Sequence, residues 1–425
     1  MSILTSQVAE MNALAVRLRE MGIIHLTTDS DAMPDRRVLH LDGRELLNFS
    51  SCNYVGLETD ERLKKAAIEA IELYGTQFYT VRAYLSLYPY QELESLLDRL
   101  FGHPTVVMPT TMLGHLSCLP VLVSEKDAVI MDHQVHTSVQ MTARILKSYG
   151  THVEMVRHNR MDYLENRIKK LRLQHEKVWY LADGVYSMYG NIAPLKDLES
   201  LLNQYDQFHL YVDDSHGMSW TGKHGSGAVL EKIPFHPRMV LMTSLGKAFG
   251  ASGGVGVFYD DVEKMTVRNC GRPLIFTGPL QPATLGAAVA SAKIHLTDEI
   301  KSLQNRLKDK IHYFHKKAES LELPLISRGE SPIFFIGLSK PDIAYRLCQL
   351  LKEQGFFTAI AAYPSVPYNN AGLRIMLTVH HLENDMDLLL EAISETLPAV
   401  LNSENLALEQ IYKAFGIEES VASPV

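Results

Sequence analysis

The chain has 425 residues, 46% hydrophobic and 21% charged, with a formal net charge of −8. That length can bury one large core and a smaller one, the composition excludes a disordered chain, and the negative balance argues against nucleic-acid or polybasic membrane binding. Cys52, Cys118, Cys270 and Cys348 lie far apart and form no CxxC pair, so neither a disulfide framework nor a zinc ribbon is expected. The first residues lack the basic start and apolar stretch of a secretory signal. No apolar run approaches the roughly 18 residues of a membrane span. A reduced, cytoplasmic enzyme without a metal site is the expectation.

In chain order, Leu4, Val8, Met11, Leu14, Leu18 and Met21 recur at spacings of three and four, which predicts an amphipathic helix over 4–22. Val38, Leu39 and Leu41, a turn at Asp42-Gly43 and Leu46-Leu47-Asn48-Phe49 read as a hairpin. Residues 60–73 and 90–101 read as helices, separated by an aromatic, polar stretch over 75–84. From there to about residue 260, apolar runs at 105–108, 128–131, 152–156, 178–182, 209–212, 239–242 and 256–258 alternate with helical patterns such as 162–173 and 195–205. This alternation predicts a mostly parallel sheet covered on both faces, with ligands bound at the carboxyl ends of the strands. Residues 281–320 read as one long helical region. Strands at 333–336, 356–360 and 373–377 and helices at 341–354 and 383–396 then predict a smaller α/β domain, and 418–425 a loose tail. The expected division is an N-terminal helix-and-hairpin segment over 1–60, a large domain over 61–290 and a small C-terminal domain over 291–425.

The polar residues after the strands carry the chemistry. The run Met239-Val240-Leu241-Met242 leads into Thr243-Ser244-Leu245-Gly246-Lys247-Ala248-Phe249-Gly250. Lys247 stands among small residues that leave room for a bulky group on its amine. An amine in an apolar pocket has its pKa lowered by desolvation and can form a Schiff base with a carbonyl; a surface lysine in a glycine loop has the same sequence. A nucleotide P-loop does not fit, because Leu241 stands where its first glycine belongs and Ala248 where Ser or Thr belongs. Asp213, in Asp213-Asp214-Ser215-His216-Gly217, can pair with a protonated pyridine nitrogen; an Asp-rich turn, or a metal site of Asp213, Asp214 and His216, fits the same residues. His136 can stack on a flat cofactor or be a loop histidine. Asp183 to Tyr189 offers a carboxylate and a hydroxyl, or a turn. Their order says more: Asp183, then Asp213 and His216, then Lys247 recur at intervals of about thirty residues, as successive strand-and-helix units feeding one crevice would place them.

With these segments the chain, over about 41–393, resembles the α-oxoamine synthases, pyridoxal-phosphate enzymes of the fold-type-I superfamily. That family includes 7-keto-8-aminopelargonate synthase, 2-amino-3-ketobutyrate CoA ligase, 5-aminolevulinate synthase and serine palmitoyltransferase. The resemblance implies a fold-type-I α/β transferase: a large cofactor domain with a mostly parallel sheet covered by helices, and a smaller C-terminal α/β domain. It implies that Lys247, in Ser-Leu-Gly-Lys-Ala-Phe-Gly, carries pyridoxal 5′-phosphate; that Asp213 pairs with the pyridine nitrogen and His216 contacts the phenolic oxygen; and that His136 stacks over the ring. It further implies that Ser187 and Ser244 bind the cofactor, that Thr277 reaches the phosphate of the other subunit in a homodimer with shared active sites, that Asn53 lies on the substrate side, and that Arg374 grips an amino-acid carboxylate, a task suited to its two-pronged guanidinium.

The implied reaction condenses a small amino acid with an acyl thioester, acyl-CoA or an acyl carrier protein, with loss of the thiol and CO2, to give an α-aminoketone. A quorum-sensing autoinducer synthase is one setting the resemblance allows. An aminotransferase of the same fold is the alternative, and His136 argues against it because aminotransferases usually stack an aromatic ring there. A non-catalytic partner subunit is disfavoured by the presence of Lys247, Asp213, His216 and His136. Three segments depart from the family pattern. The phosphate-cup turn reads Thr110-Thr111-Met112-Leu113-Gly114, where backbone N–H groups of Thr111 and Met112 at a helix start would hold the phosphate. Phe78 and Tyr79 put bulk where relatives have glycines near the acyl entrance, and Tyr90-Gln91-Glu92-Leu93-Glu94 replaces a His-x-x-Leu-Glu.

Overall fold

The computed structural model describes residues 3–29, 37–78, 80–326 and 329–417. Tyr79 and the expected tail lie outside the described residues. The chain divides into two compact units, Cys52–Ser187 with Asn191–Leu307, and Met1–Ser51 with Met188–Gly190 and Lys308–Val425. The boundaries differ from those expected at 60 and 290. The N-terminal segment belongs to the same unit as the C-terminal residues, and the rear boundary falls inside the helix Glu299–Ser320.

The larger unit is built on a seven-stranded sheet. Its spatial order is Thr105–Met108, Gly254–Val257, Met239–Ser244, Phe208–Asp213, Val178–Asp183, Ala128–Asp132 and His152–Val156. Only Gly254–Val257 runs antiparallel to its neighbours; the other pairings are parallel. Successive side chains of a strand point to opposite faces, and the core divides accordingly. Tyr180, Ala182, Leu210, Val212 and Leu241 pack on one face. Trp179, Leu181, Tyr211, Val240 and Met242 pack on the other, under Cys118 and Leu119 of the helix Thr111–Leu122. The edge strand His152–Val156 is only partly buried, and its Glu154 pairs with Arg167 at 2.6 Å, a charged edge that resists pairing with another chain.

The segment before the sheet is pinned from within. Arg82 lies over the Tyr90 ring at 3.8 Å, pairs with Glu94 at 3.0 Å and donates to the Val107 carbonyl at 2.8 Å. Tyr90, which stands where the family pattern has histidine, and Glu94 thus anchor Arg82. Phe78 is buried. The long helical region expected over 281–320 is two helices, Pro282–His295 and Glu299–Ser320. The first packs against Glu61–Tyr74, and Gly286 permits this: a Cβ there would run into the Ala66 carbonyl oxygen and lie 2.8 Å from the Ala70 Cβ.

The smaller unit holds two three-stranded sheets. Val38–Leu41 and Arg44–Asn48 form the expected hairpin, joined in parallel by Phe356–Phe357. Ile333–Ser339, Ala371–Met376 and Ala359–Ala361 form an antiparallel sheet. The single strand expected over 356–360 is therefore broken at the buried Thr358, and the chain passes from one sheet to the other there. The first helix, Ile3–Glu20, buries Leu18 but leaves Val8, Met11 and Val16 exposed. Among the described residues no helix is long and apolar enough to cross a membrane.

Gly286→Val should separate the two packed helices and destabilise the folded chain by roughly 1–3 kcal/mol, the cost of overpacking a tight contact. Urea unfolding measures this; an unchanged midpoint would mean that the helices do not approach so closely.

Candidate active site

Three adjacent parallel strands end in Asp183, Asp213 and Ser244. Asp183 and Asp213 are register partners. By the two-residue alternation both lie on the face that carries Leu181 and Tyr211, and Ser244 lies on the face of Met242. Two carboxylates thus stand side by side in a buried place. Asp213 accepts from His115 Nε2 at 3.0 Å and from the Ser215 N–H at 3.0 Å. Asp183 accepts from the His136 N–H at 3.1 Å.

The two carboxyls titrate apart. Burial alone would raise Asp213, but the His115 hydrogen bond, the positive charge of Lys247 and the Ser215 N–H hold it well below the usual carboxylate range. Asp183 is pushed well above that range by burial and then by the Asp213 charge. Asp214 is raised to about 8, mainly by burial. It accepts from the Val229 N–H at 3.0 Å, and a Cβ at Gly184, Gly217 or Gly227 would run into its carboxylate.

Lys247 is half-buried in the loop after Met239–Ser244. The loop closes on itself: Gly246 donates to Ser244 Oγ at 3.1 Å, Gly250 to the Lys247 carbonyl at 2.9 Å and Leu245 to the Gly253 carbonyl at 2.9 Å. Gly250 has φ +80, and a Cβ there would lie 2.8 Å from the Leu57 Cβ, so a side chain would be both strained and crowded. The Lys247 charge is felt by Asp213, Asp183, Asp214 and His136, which brings these residues to one place.

His136 caps the helix Thr137–Ser148. Its Nδ1 accepts from the Ser138 N–H at 3.3 Å and lies 2.7 Å from Ser138 Oγ, so Nε2 carries the proton. Partial burial lowers its pKa, helped by the Lys247 charge and opposed by Asp213. It is therefore neutral at pH 7. His216 pairs through Nδ1 with the Tyr54 hydroxyl at 2.8 Å. Asp213, Asp214 and His216 each face a different partner and do not converge as metal ligands would.

Thr111 and Met112 open the helix Thr111–Leu122, which Thr110 caps by accepting from the Leu113 N–H at 3.1 Å. Gly254 makes this start accessible to the sheet: a Cβ there would lie 2.7 Å from the Thr111 nitrogen. Ser187 and Asn53 are half-buried. Thr277 donates to the Pro273 carbonyl at 2.6 Å. Arg374 lies in the smaller unit, on Ala371–Met376, between register partners Phe335 and Ala359.

Two residues escape sequence reading. His115 is fully buried and bridges Tyr211 Oη at 2.8 Å and Asp213. Its signal is the spacing 115, 118, 119 on one helix face, which reads equally as plain core. Tyr54 gives no signal, since its partner His216 is distant in sequence. The donor set suits pyridoxal phosphate: an ionised carboxylate for a cationic ring nitrogen, a neutral imidazole, an amine, and a glycine-lined helix start whose first N–H groups precede any intrahelical bond. Thr111 and Met112 would hold the phosphate, Asp213 the ring nitrogen and Lys247 the aldehyde carbon.

The aminotransferase class I and II family profile matches residues 44–393. The chain is 30% identical to the 8-amino-7-oxononanoate synthase of Thermoanaerobacter pseudethanolicus over 382 residues, covering 89% of this chain and 94% of that one. It is 32% identical to the enzyme of the same name from Maricaulis maris over 369 residues, covering 86% and 89%. Among solved structures, a serine palmitoyltransferase from S. paucimobilis with bound PLP and myriocin superposes with a TM-score of 0.85 at 23% identity, covering 94% of this chain and 99% of that one. An 8-amino-7-oxononanoate synthase from Francisella tularensis superposes with a TM-score of 0.70 at 22% identity, covering 83% and 98%.

The raised value of Asp214 has a measurable sign. The unfolded chain ionises this group above about pH 4, whereas the folded chain keeps it protonated up to about 8. Its contribution to stability is fully present below about pH 4 and is lost as pH rises toward 8. Asp214→Asn should lack that slope, so the stability of the parent relative to the variant should fall across this window in urea unfolding. A constant difference would count against a buried, protonated Asp214.

Proposed function

The chain belongs to the α-oxoamine synthases within the aminotransferase class I and II family, and from that premise we propose that it condenses a small amino acid with an acyl thioester, releasing the thiol and CO2 and forming an α-aminoketone. The observation that carries this reading is the meeting of Lys247, ionised Asp213 and neutral His136 at the carboxyl edge of the sheet. Pyridoxal phosphate is the cofactor, and when bound it supplies an electron sink for the bond-breaking at an amino-acid α-carbon.

The chain's own residues divide the work. The N–H groups of Thr111 and Met112, with Ser244 and Ser187, bind the cofactor, and Asp213 keeps the ring nitrogen protonated by its negative charge. His216, held by Tyr54, contacts the phenolic oxygen. Arg374 and Asn53 orient the amino acid, and the orientation of its carboxylate decides which α-carbon bond is weakened. The Lys247 amine would take the α-proton. The α-carbon then bonds to the thioester carbonyl carbon, the carbon–sulfur bond breaks and the thiolate leaves, taking up the proton removed from the α-carbon; loss of CO2 from the β-keto acid leaves an electron pair on the α-carbon, which takes a proton to give the aminoketone. His136 presents a protonated Nε2, a donor that can polarise the incoming acyl carbonyl. A stacked phenylalanine has no such group, and this favours condensation over transamination.

A homodimer with shared sites is part of the proposal. Tyr84, Tyr88 and Phe276 are 86%, 66% and 78% exposed in the single chain. A second copy would cover such side chains, and Phe276 precedes Thr277.

Purified protein supplied with amino acids and acyl thioesters, on CoA or on acyl carrier protein, should release thiol only when an amino acid is present, with an aminoketone seen by mass spectrometry. A keto acid and pyridoxamine phosphate without thiol release from any donor would make it an aminotransferase. Lys247→Ala should lower kcat by about a thousandfold or more, and a Thr277 variant that no longer retains cofactor should also be inactive. Mixed 1:1, they should recover roughly a quarter of parental activity, since half of randomly assorted dimers carry one intact site. No recovery despite demonstrated subunit exchange would exclude shared sites.

A further inference from the structure

The helix Thr111–Leu122 lies on the sheet face that carries Tyr211 and Asp213. These two residues are two apart on one strand, so their side chains leave the same face about 7 Å apart. His115 spans the gap, with Nδ1 2.8 Å from Tyr211 Oη and Nε2 3.0 Å from Asp213 Oδ2. His115 and Tyr211 are fully buried, and Asp213 is 6% exposed.

Donor and acceptor counting fixes the protons. Among the described residues the Tyr211 hydroxyl meets only His115 Nδ1, and a buried phenol O–H needs an acceptor. Nδ1 accepts only when it carries no proton. Ionised Asp213 has no proton to give, so Nε2 must supply the N–H between them. One O–H, one bare nitrogen, one N–H and one carboxylate close the chain with a neutral imidazole. An imidazolium would leave the phenol proton without an acceptor.

We propose that His115 is a positioning residue: a neutral imidazole, locked by Tyr211 with its proton on Nε2, that holds the Asp213 carboxylate in the single orientation needed to face the cofactor's ring nitrogen. The proposal rests on the reading in which Asp213 meets that nitrogen. The Ser215 N–H holds Oδ1, but without a partner on Oδ2 the carboxylate could still turn about its side chain toward Asp183. The His115 hydrogen bond removes that freedom without adding a competing positive charge beside Asp213, so the carboxylate's full charge remains for the cofactor.

The test reconstitutes the full-length apoprotein with pyridoxal phosphate and reads the cofactor's dissociation constant, its absorbance spectrum, kcat and KM, and the unfolding midpoint of the apoprotein. His115→Leu should weaken cofactor binding and lower kcat about tenfold or more, the size expected for a hydrogen bond to a charged group, with the KM for the amino acid unchanged. His115→Gln can still donate to Asp213 and accept from Tyr211, and should stay within about threefold of the parent. Tyr211→Phe should fall between them. Asp213→Asn is the benchmark. If it binds cofactor and turns over like the parent, the reading of Asp213 fails. If it loses activity while His115→Leu behaves like the parent, the proposal for His115 fails alone. Equal losses in His115→Leu and His115→Gln that track the unfolding midpoint, with an unchanged spectrum, also overturn it. Should His115→Leu not fold, Tyr211→Phe decides, and parental cofactor binding and spectrum in that variant overturn the proposal.

Discussion

Everything at the candidate site depends on two carboxylates sharing one buried place. Asp183 and Asp213 are register partners at the ends of adjacent strands, and like charges so placed do not both ionise readily. Asp213 has the His115 ring, the Ser215 N–H and the Lys247 charge in its favour; Asp183 has the His136 N–H and the opposing charge of Asp213. The negative charge therefore settles on Asp213. The backbone N–H that serves Asp183 belongs to His136, so the same carboxyl also fixes where His136 begins its helix.

The sheet makes that asymmetry possible. A parallel strand buried on both faces contributes side chains to each, so Tyr211 and Asp213 stand on one side while Leu210 and Val212 pack on the other. Asp132, at the end of the next strand but one, follows the opposite alternation. It meets His158 at 3.0 Å and Tyr180 at 3.1 Å and also accepts from the backbone of Gln134 and Asn159. It therefore ties turns together away from Asp213. Strand-end carboxylates that look alike in sequence thus differ in task by the parity of their position.

Close backbone approach supplies the rest. Gly254 lets the one antiparallel strand begin against the Thr111 nitrogen, and a Cβ at Gly114 would lie 2.7 Å from the Met108 sulfur. Together they seat the helix Thr111–Leu122 on the sheet, which is what carries His115 to Asp213. The family's usual phosphate-cup residues are absent from this turn, yet the helix start that would bind an anion is kept, because that function rests on backbone N–H groups rather than on particular side chains.

The sequence by itself determined the alternation of buried strands and helices, the seven strands of the large sheet to within a residue or two, the lysine loop and the strand-end acids, because these are written in local periodicity and small-residue spacing. It also carried the family, since the motifs around Lys247, Asp213 and Arg374 are contiguous. Only the tertiary structure decided which acid is ionised, what holds it and where the units divide. Asp183 and Asp213 are thirty residues apart, and His115 and Asp213 ninety-eight; no local pattern reports a register between strands or the face a helix chooses. The break at Thr358 and the joining of the first 51 residues to the C-terminal unit were hidden for the same reason. Pairing partners far apart in the chain override local preference, and a buried histidine looks like any other core residue until the group it touches is known.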